Sequence, residues 1–385
     1  MRLTPEHTAI AETTRRFVET EINPFADEWE KAGIWPAHEI LGKMGKLGLL
    51  GIQKSSDYGG QDLDYSYQAA FLEALGTGRA NGASMGISVQ TDMATPALAK
   101  FGSDELRQEF LAPAITGEYV ASIAVSEPQA GSDVARLKTN ARKDGGDYVI
   151  NGAKMWITNS TQADFFCLLA NTSEEGGPYR NKSLIVVPSK TKGISFSAKL
   201  NKLGMRSSDT AQVFFDDVRV PQRFLIGEEG LGFTLQMKQF QEERLAASLL
   251  QLGTLDVVID DTLAYVKERV VFEKPLIDNQ VVQFRLAELK TELEAVRALC
   301  WRAVEALVEG ENVTTWASMA KLKIGRVARE VTDSCLQYFG GNGFMWDNFV
   351  TRCYRDLRLT SIGGGADEVM LQVIAKELGY SSKRR

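Results

Sequence analysis

The stretch Asp144-Gly145-Gly146-Asp147-Tyr148-Val149-Ile150-Asn151 decides the architecture of this chain, because a Gly-Gly turn flanked by aspartates runs straight into a β-rich run. Similar short runs lie at Tyr119 to Val125, Phe165 to Leu169, Leu184 to Val187 and Val213 to Phe215, with Lys192-Gly193 as a further turn. They predict a central β domain over residues 119–226. On its N-terminal side the apolar residues recur at helical spacing, as in Ile10, Phe17, Val18 and Ile22, then Ile40, Leu41, Met44 and Leu47, then Leu106, Phe110 and Leu111. Asn23-Pro24 and Gly59-Gly60 punctuate this helical domain, residues 1–118. Beyond a linker from Pro221 to Gly232 the helical period returns at Phe233 to Leu252, Leu255 to Glu268, Val281 to Leu307, Thr315 to Tyr338 and Asp367 to Leu378. Helices that long pack as a bundle, here residues 227–385. The fold class is α+β and mainly α, and 385 residues are enough for more than one core.

A formal net charge of -6 and a pI near 5.3 argue against nucleic acid as a partner. No apolar run approaches the roughly 20 residues that span a bilayer, and Met1 is not followed by a basic and then an apolar segment. The expectation is a soluble, cytoplasmic, bacterial-type protein rather than one of the mitochondrial matrix. Cys167, Cys300, Cys335 and Cys353 show no C-x-x-C spacing and read as reduced core residues. His7 and His38 have no ligand or triad spacing. No metal site is expected, and a general base should be a carboxylate.

Neither G-x-G-x-x-G after a strand nor G-x-x-x-x-G-K occurs, so Rossmann and P-loop sites are not supported. Ser126-Glu127-Pro128-Gln129-Ala130-Gly131-Ser132-Asp133 is dense in turn formers. It reads equally as a cradle of backbone amides for phosphate or as a plain Asx or Ser turn. In Asn151 to Asn159, Trp156 and Thr158 stand two apart, on one face of a strand, where they would pack and hydrogen-bond a flat heteroaromatic group. A core tryptophan is the commoner reading. Glu243 has Gln239, Phe240, Ala246, Ala247 and Leu250 at helical neighbour positions, a mostly apolar face without a cation. Pattern alone slightly favours a carboxylate facing water; in a dry cleft its pKa would rise toward the working pH instead. Glu242, four residues after Lys238, reads as a solvated pair.

Together, Ser126 to Asp133, Met155 to Asn159, Leu203 to Thr210, Gln337 to Phe344, Arg355-Asp356, and Arg269 with Phe272 and Gln280 resemble the acyl-CoA dehydrogenase family, in order and along the whole chain. The resemblance implies FAD as cofactor, an N-terminal helical domain, a central β domain, a C-terminal four-helix bundle and a homotetramer. It implies that Val125, Ser126, Ser132, Trp156, Ile157 and Thr158 contact FAD. Arg269, Phe272, Gln280, Gln337 and Gly341 would hold the FAD of a neighbouring subunit. Ser132, Gln241 and Arg244 would line the acyl-CoA channel.

This chain departs from the family pattern in four places. Gly364, within Ile362-Gly363-Gly364-Gly365-Ala366, stands where the catalytic Glu is usual. In a minority of members, resembling the long-chain and isovaleryl enzymes, the base instead precedes the helix Arg, which here is Glu243 before Arg244. Ala366 replaces a Thr that contacts FAD, Glu273 a Gly, and Val271 a frequent Thr. The reaction implied is α,β-dehydrogenation of an acyl-CoA thioester in fatty acid β-oxidation, with electrons passing to an electron-transfer flavoprotein. Glu243 would be the base and the Gly364 amide a donor to the thioester oxygen. The Glu-Glu-Arg-Leu and Gly-rich blocks are also similar to those of citronellyl-CoA dehydrogenases, which points to branched or medium to long chains. An acyl-CoA oxidase or flavin monooxygenase on the same scaffold is the rival reading, and a non-catalytic, DNA-protective homologue the more distant one.

Overall fold

The computed structural model describes residues 3–380. Short helices from Pro5 to Thr116 open the chain, an eight-stranded sheet follows, and long helices close it. The sheet runs in the order Ile194–Phe196, Thr210–Pro221, Asp147–Thr158, Asn140–Asp144, Phe165–Asn171, Lys182–Pro188, Leu225–Ile226. Ala121–Ala124 pairs in parallel with Phe165–Asn171. Asp144 and Asp147 are paired across Gly145-Gly146, the two-residue hairpin that the opening stretch predicts.

Two apolar cores hold these layers, and neither respects the sequence segments. One joins the early helices to the bundle, with Phe71, Leu72 and Trp35 packed in the same cluster as Leu245, Leu249 and Leu255. The other joins the sheet to the helical stretch around Leu98, Leu106 and Phe110, and Leu235 and Phe240 of the bundle reach into it. Each buried leucine or phenylalanine contributes about 1.5–3 kcal/mol. The helical domain is therefore tied to both of its neighbours.

The expected break near Gly253 does not occur, since Gly232–Glu268 is one helix of 37 residues. Gly253 serves packing. A Cβ there would lie 2.1 Å from the Glu73 carbonyl oxygen, so glycine is what lets this helix approach Tyr65–Leu75. The other bundle helices are Gln280–Val308, Thr314–Tyr338 and Asp367–Glu377, with Phe349–Leu357 as an additional one. That last helix and the strands Asn140–Asp144 and Ile194–Phe196 were not anticipated. Among the described residues no helix is long and apolar enough to cross a membrane, and no cluster of His, Cys, Asp or Glu is able to hold a metal. The four cysteines are free and buried, and His7 and His38 are occupied by Ser66 and Asp164.

Candidate active site

Glu243 sits where the 37-residue helix passes between the two cores, and it is only 8% exposed. The water-facing reading is thereby excluded. Gln239 and Gln236, one and two turns back on the same face, donate to a single oxygen, Oε1, at 2.7 and 3.1 Å. Oε2 has no protein partner among the described residues. Burial pushes the carboxyl up to about 8; the two amides and the neighbouring Arg244 pull against that rise, and the charge of Asp92 adds to it. Gln239 is itself fixed, accepting from the Ala97 amide at 2.8 Å and donating to the Met93 carbonyl. The position of Glu243 is thus locked to the helical domain.

Glu242 does not pair with Lys238. It pairs across the domain seam with Lys100 and is mostly covered. The reason is geometric, because the seam brings Lys100 to a helix face that sequence spacing alone assigns to solvent.

The Gly-rich loop comes to the same helix. A Cβ on Gly365 would stand 3.7 Å from Arg244 Nε, next in sequence to Glu243. Gly364 adopts φ +63°, a conformation that strains any L side chain. A Cβ there would meet only Lys321 Cε at 3.6 Å, so the position is strained but roomy. Lys321, buried on Thr314–Tyr338, donates to the carbonyls of Thr360 and Gly365 and pins both ends of the loop. Sequence reasoning missed it, as it missed Gln236; the heptad and i,i+4 spacing to Glu243 were the available signals for the glutamines.

In the β domain, Trp156 lies in a bulge where the pairing with Thr210–Pro221 shifts register, with φ +61° and its indole 53% exposed. The core reading of this tryptophan is excluded. Ile157 beside it is buried, leaving only its backbone for a ligand, and Thr158 is half-buried. The loop from Ser126 is organised from beneath by an ion pair, Lys154 to Glu127 at 2.9 Å, both fully covered. Lys154 also donates to the Val125 carbonyl, while Glu127 accepts the amides of Lys138 and Thr139. Ser132 is exposed, Ser126 half-buried, and nothing stands within 4 Å of a Cβ placed on Gly131. An uncovered indole beside a rigidly backed loop of small residues fits a flat, phosphate-bearing cofactor. Gln241 and Arg244 are half-buried on the Glu243 helix, where the Arg244 Nε lacks a partner.

Arg269, Phe272, Gln280, Gln337 and Gly341 are not gathered here. All are exposed, Phe272 by 95%. Arg269 follows the far end of the helix, about 39 Å from Glu243 at 1.5 Å per residue.

Comparison with known proteins agrees with this arrangement of helical cap, sheet and bundle. The chain matches the models for the acyl-CoA dehydrogenase N-terminal domain at residues 4–118, middle domain at 122–218 and C-terminal domain at 230–379. It is 36% identical over 374 residues to the mitochondrial long-chain specific acyl-CoA dehydrogenase of Sus scrofa, covering 97% of this chain and 86% of that protein. It is 34% identical over 380 residues to the short-chain specific enzyme of Homo sapiens, covering 98% and 91%. An acyl-CoA dehydrogenase structure from Geobacillus kaustophilus superposes with TM-score 0.93 at 38% identity, over 98% of each chain. The chain belongs to the acyl-CoA dehydrogenase family, whose members are FAD-dependent oxidoreductases acting on CH–CH bonds.

The raised pKa of Glu243 has a consequence for stability. Its folded value of about 8 lies above the ordinary 4.5, so between these values the folded state keeps a proton that the unfolded chain releases. The stabilisation is complete below the ordinary value and is lost as pH rises through about 8. On going from about pH 5 to about pH 9 the melting temperature of the wild type should fall relative to Glu243→Gln, which cannot titrate there. Thermal melts of both proteins across that range check it, and parallel curves would refute a buried, titrating carboxyl.

Proposed function

We propose that this chain removes two hydrogens from Cα and Cβ of a medium- to long-chain or branched acyl-CoA, with Glu243 as the base. The observation that carries the reading is the buried carboxylate with one free oxygen, on the helix whose next residue, Arg244, lies near the Gly-rich loop. Glu243 Oε2 takes the α-proton. The backbone amide of Gly364, freed of a side chain, donates to the thioester oxygen and steadies the charge that develops there. Arg244 and Gln241 orient the acyl-CoA from the same helix, and Ser132 lies along its path. FAD, when bound, supplies the acceptor for the β-hydrogen and its electron pair. Val125, Ser126, Trp156, Ile157 and Thr158 hold it from the β domain. The electrons go on to an electron-transfer flavoprotein.

Arg269, Phe272, Gln280, Gln337 and Gly341 serve the FAD of another subunit in a homotetramer. The distance of Arg269 from Glu243, the exposure of all five residues and the nearly bare ring of Phe272 support that assignment. The domain limits follow at residues 1–118, 119–226 and 227–385, and the place of work is the cytoplasm.

Glu243→Gln should keep its FAD yet lose at least about two orders of magnitude in the rate of flavin bleaching by acyl-CoA in stopped flow. Undiminished bleaching would remove Glu243 as the base. The wild-type kcat/KM should rise with pH through an apparent pKa of about 8, since only the ionised carboxyl accepts the proton; a profile flat across that range contradicts the assignment. Adding Gly364→Glu to Glu243→Gln should restore part of the turnover, against a left-handed backbone penalty of roughly 1–2 kcal/mol. A folded, flavin-loaded double variant with no turnover would show that the two positions do not flank one carbon.

A further inference from the structure

Next to the Glu243 helix lies a cavity of about 250 Å³ whose wall includes Lys54, Thr91, Asp92, Pro96, Lys100 and Glu242. It adjoins the proposed site through shared elements. Glu242 precedes the base, the Asp92 charge is felt at the Glu243 carboxyl, and Gln239 ties Glu243 to the Met93 carbonyl and Ala97 amide of the segment that carries Thr91, Asp92 and Pro96. This is unusual chemistry for the far wall of an acyl site, which a plain alkyl chain would need to be apolar.

Lys54 is the group that stands out. Four lysines are buried among the described residues, and Lys154, Lys182 and Lys321 each reach at least two oxygen acceptors. Lys54 reaches one, the Thr91 carbonyl at 3.2 Å, and among the described residues no carboxylate comes within ion-pair distance of its ammonium. An ammonium has three N–H donors, so most of its hydrogen-bonding capacity is left to what enters the cavity. The charges of Asp92 and Glu242 favour the ammonium from a distance, but Asp92 makes no bond to it, because its oxygens are engaged by the Gln68 amide and the Thr91 hydroxyl. Burying a cation with so few partners is costly, and an oxygen acceptor arriving with a ligand offsets that cost.

We infer that this cavity is a subsite for the distal end of the substrate and takes an acyl thioester whose tail carries an oxygen acceptor, a carboxylate or a hydroxyl, against Lys54. The inference rests on the dehydrogenase reading and narrows its substrate class. Burial also pushes the Lys54 ammonium down to about 8, which fits a donor in need of an acceptor.

The test compares alkyl, ω-hydroxy and ω-carboxy acyl-CoAs of matched length with the purified holoenzyme, reading kcat/KM. The wild type should favour one of the oxygenated series over the alkyl series by about tenfold or more, the scale of a hydrogen bond to a charged group. Whichever oxygenated series wins identifies the terminus. Lys54→Met should lose that preference or invert it, with the flavin spectrum unchanged, whereas a merely structural role would lower all three series alike. A wild type that prefers the alkyl series overturns the subsite, and this result needs no variant to fold. So does a preference that survives Lys54→Met. If alkyl thioesters bleach the flavin while oxygenated ones do not, only the subsite falls; if none does, the dehydrogenase reading falls with it.

Discussion

A carboxyl held out of water, on a helix wedged between two cores, is the constraint on which the rest of this molecule turns. In water Glu243 would be ionised and hydrated, and a weak acceptor for a carbon-bound proton. Burial reverses this by making the charged form expensive, and the carboxyl moves to about 8. The same burial would disable the group if nothing positioned it. Gln236 and Gln239 do so by taking up one oxygen, and the Gln239 contacts to Met93 and Ala97 transmit that position to the helical domain. Stability and proposed function are opposed here, since every interaction that keeps the acid dry also makes its ionisation a liability to the fold.

The 37-residue helix is what makes such a site available. It contributes Leu245, Leu249 and Leu255 to the helical core and Leu235 and Phe240 to the sheet core, so residues between those sets sit at the seam. Gly253 permits its close approach to the neighbouring helix, and its far end carries Arg269 away from Glu243. One rigid element thus serves two distant places. A group that belongs to a helix is positioned more tightly than one on a loop.

Much of this was legible in the residues and some was not. Segment order and the Gly145-Gly146 hairpin follow from local pattern, because turn chemistry and periodicity are properties of short windows, whereas the contrast between Gly364 and Glu243 came from the family resemblance and not from periodicity. Strand Asn140–Asp144 escaped because only Ala141 of its five residues is buried, so no alternation marks it. Helix Phe349–Leu357 escaped because it buries Arg352, Arg355 and Asp356, polar residues that satisfy a long-range network: Asp356 accepts from Asn81 and from the Met205 amide. The Glu242 to Lys100 pair joins residues 142 apart in sequence, beyond any rule of helical spacing. Partnerships across the seam are set by packing, and packing is not local.

The Gly-rich loop is organised without any acidic side chain at residue 364. With no side chain to aim, residue 364 is free to adopt φ +63°, and the loop is organised through its carbonyls instead, by Lys321 from the adjoining helix. Its amides are then presented by backbone geometry alone. Acid and amide donors come from separate elements, the helix fixed by its cores and the loop fixed by one buried ammonium. Disturbing the loop would therefore leave in place the hydrogen bonds that position Glu243, because they run through Gln236 and Gln239 of the long helix to Met93 and Ala97 of the helical domain and none of them passes through Lys321.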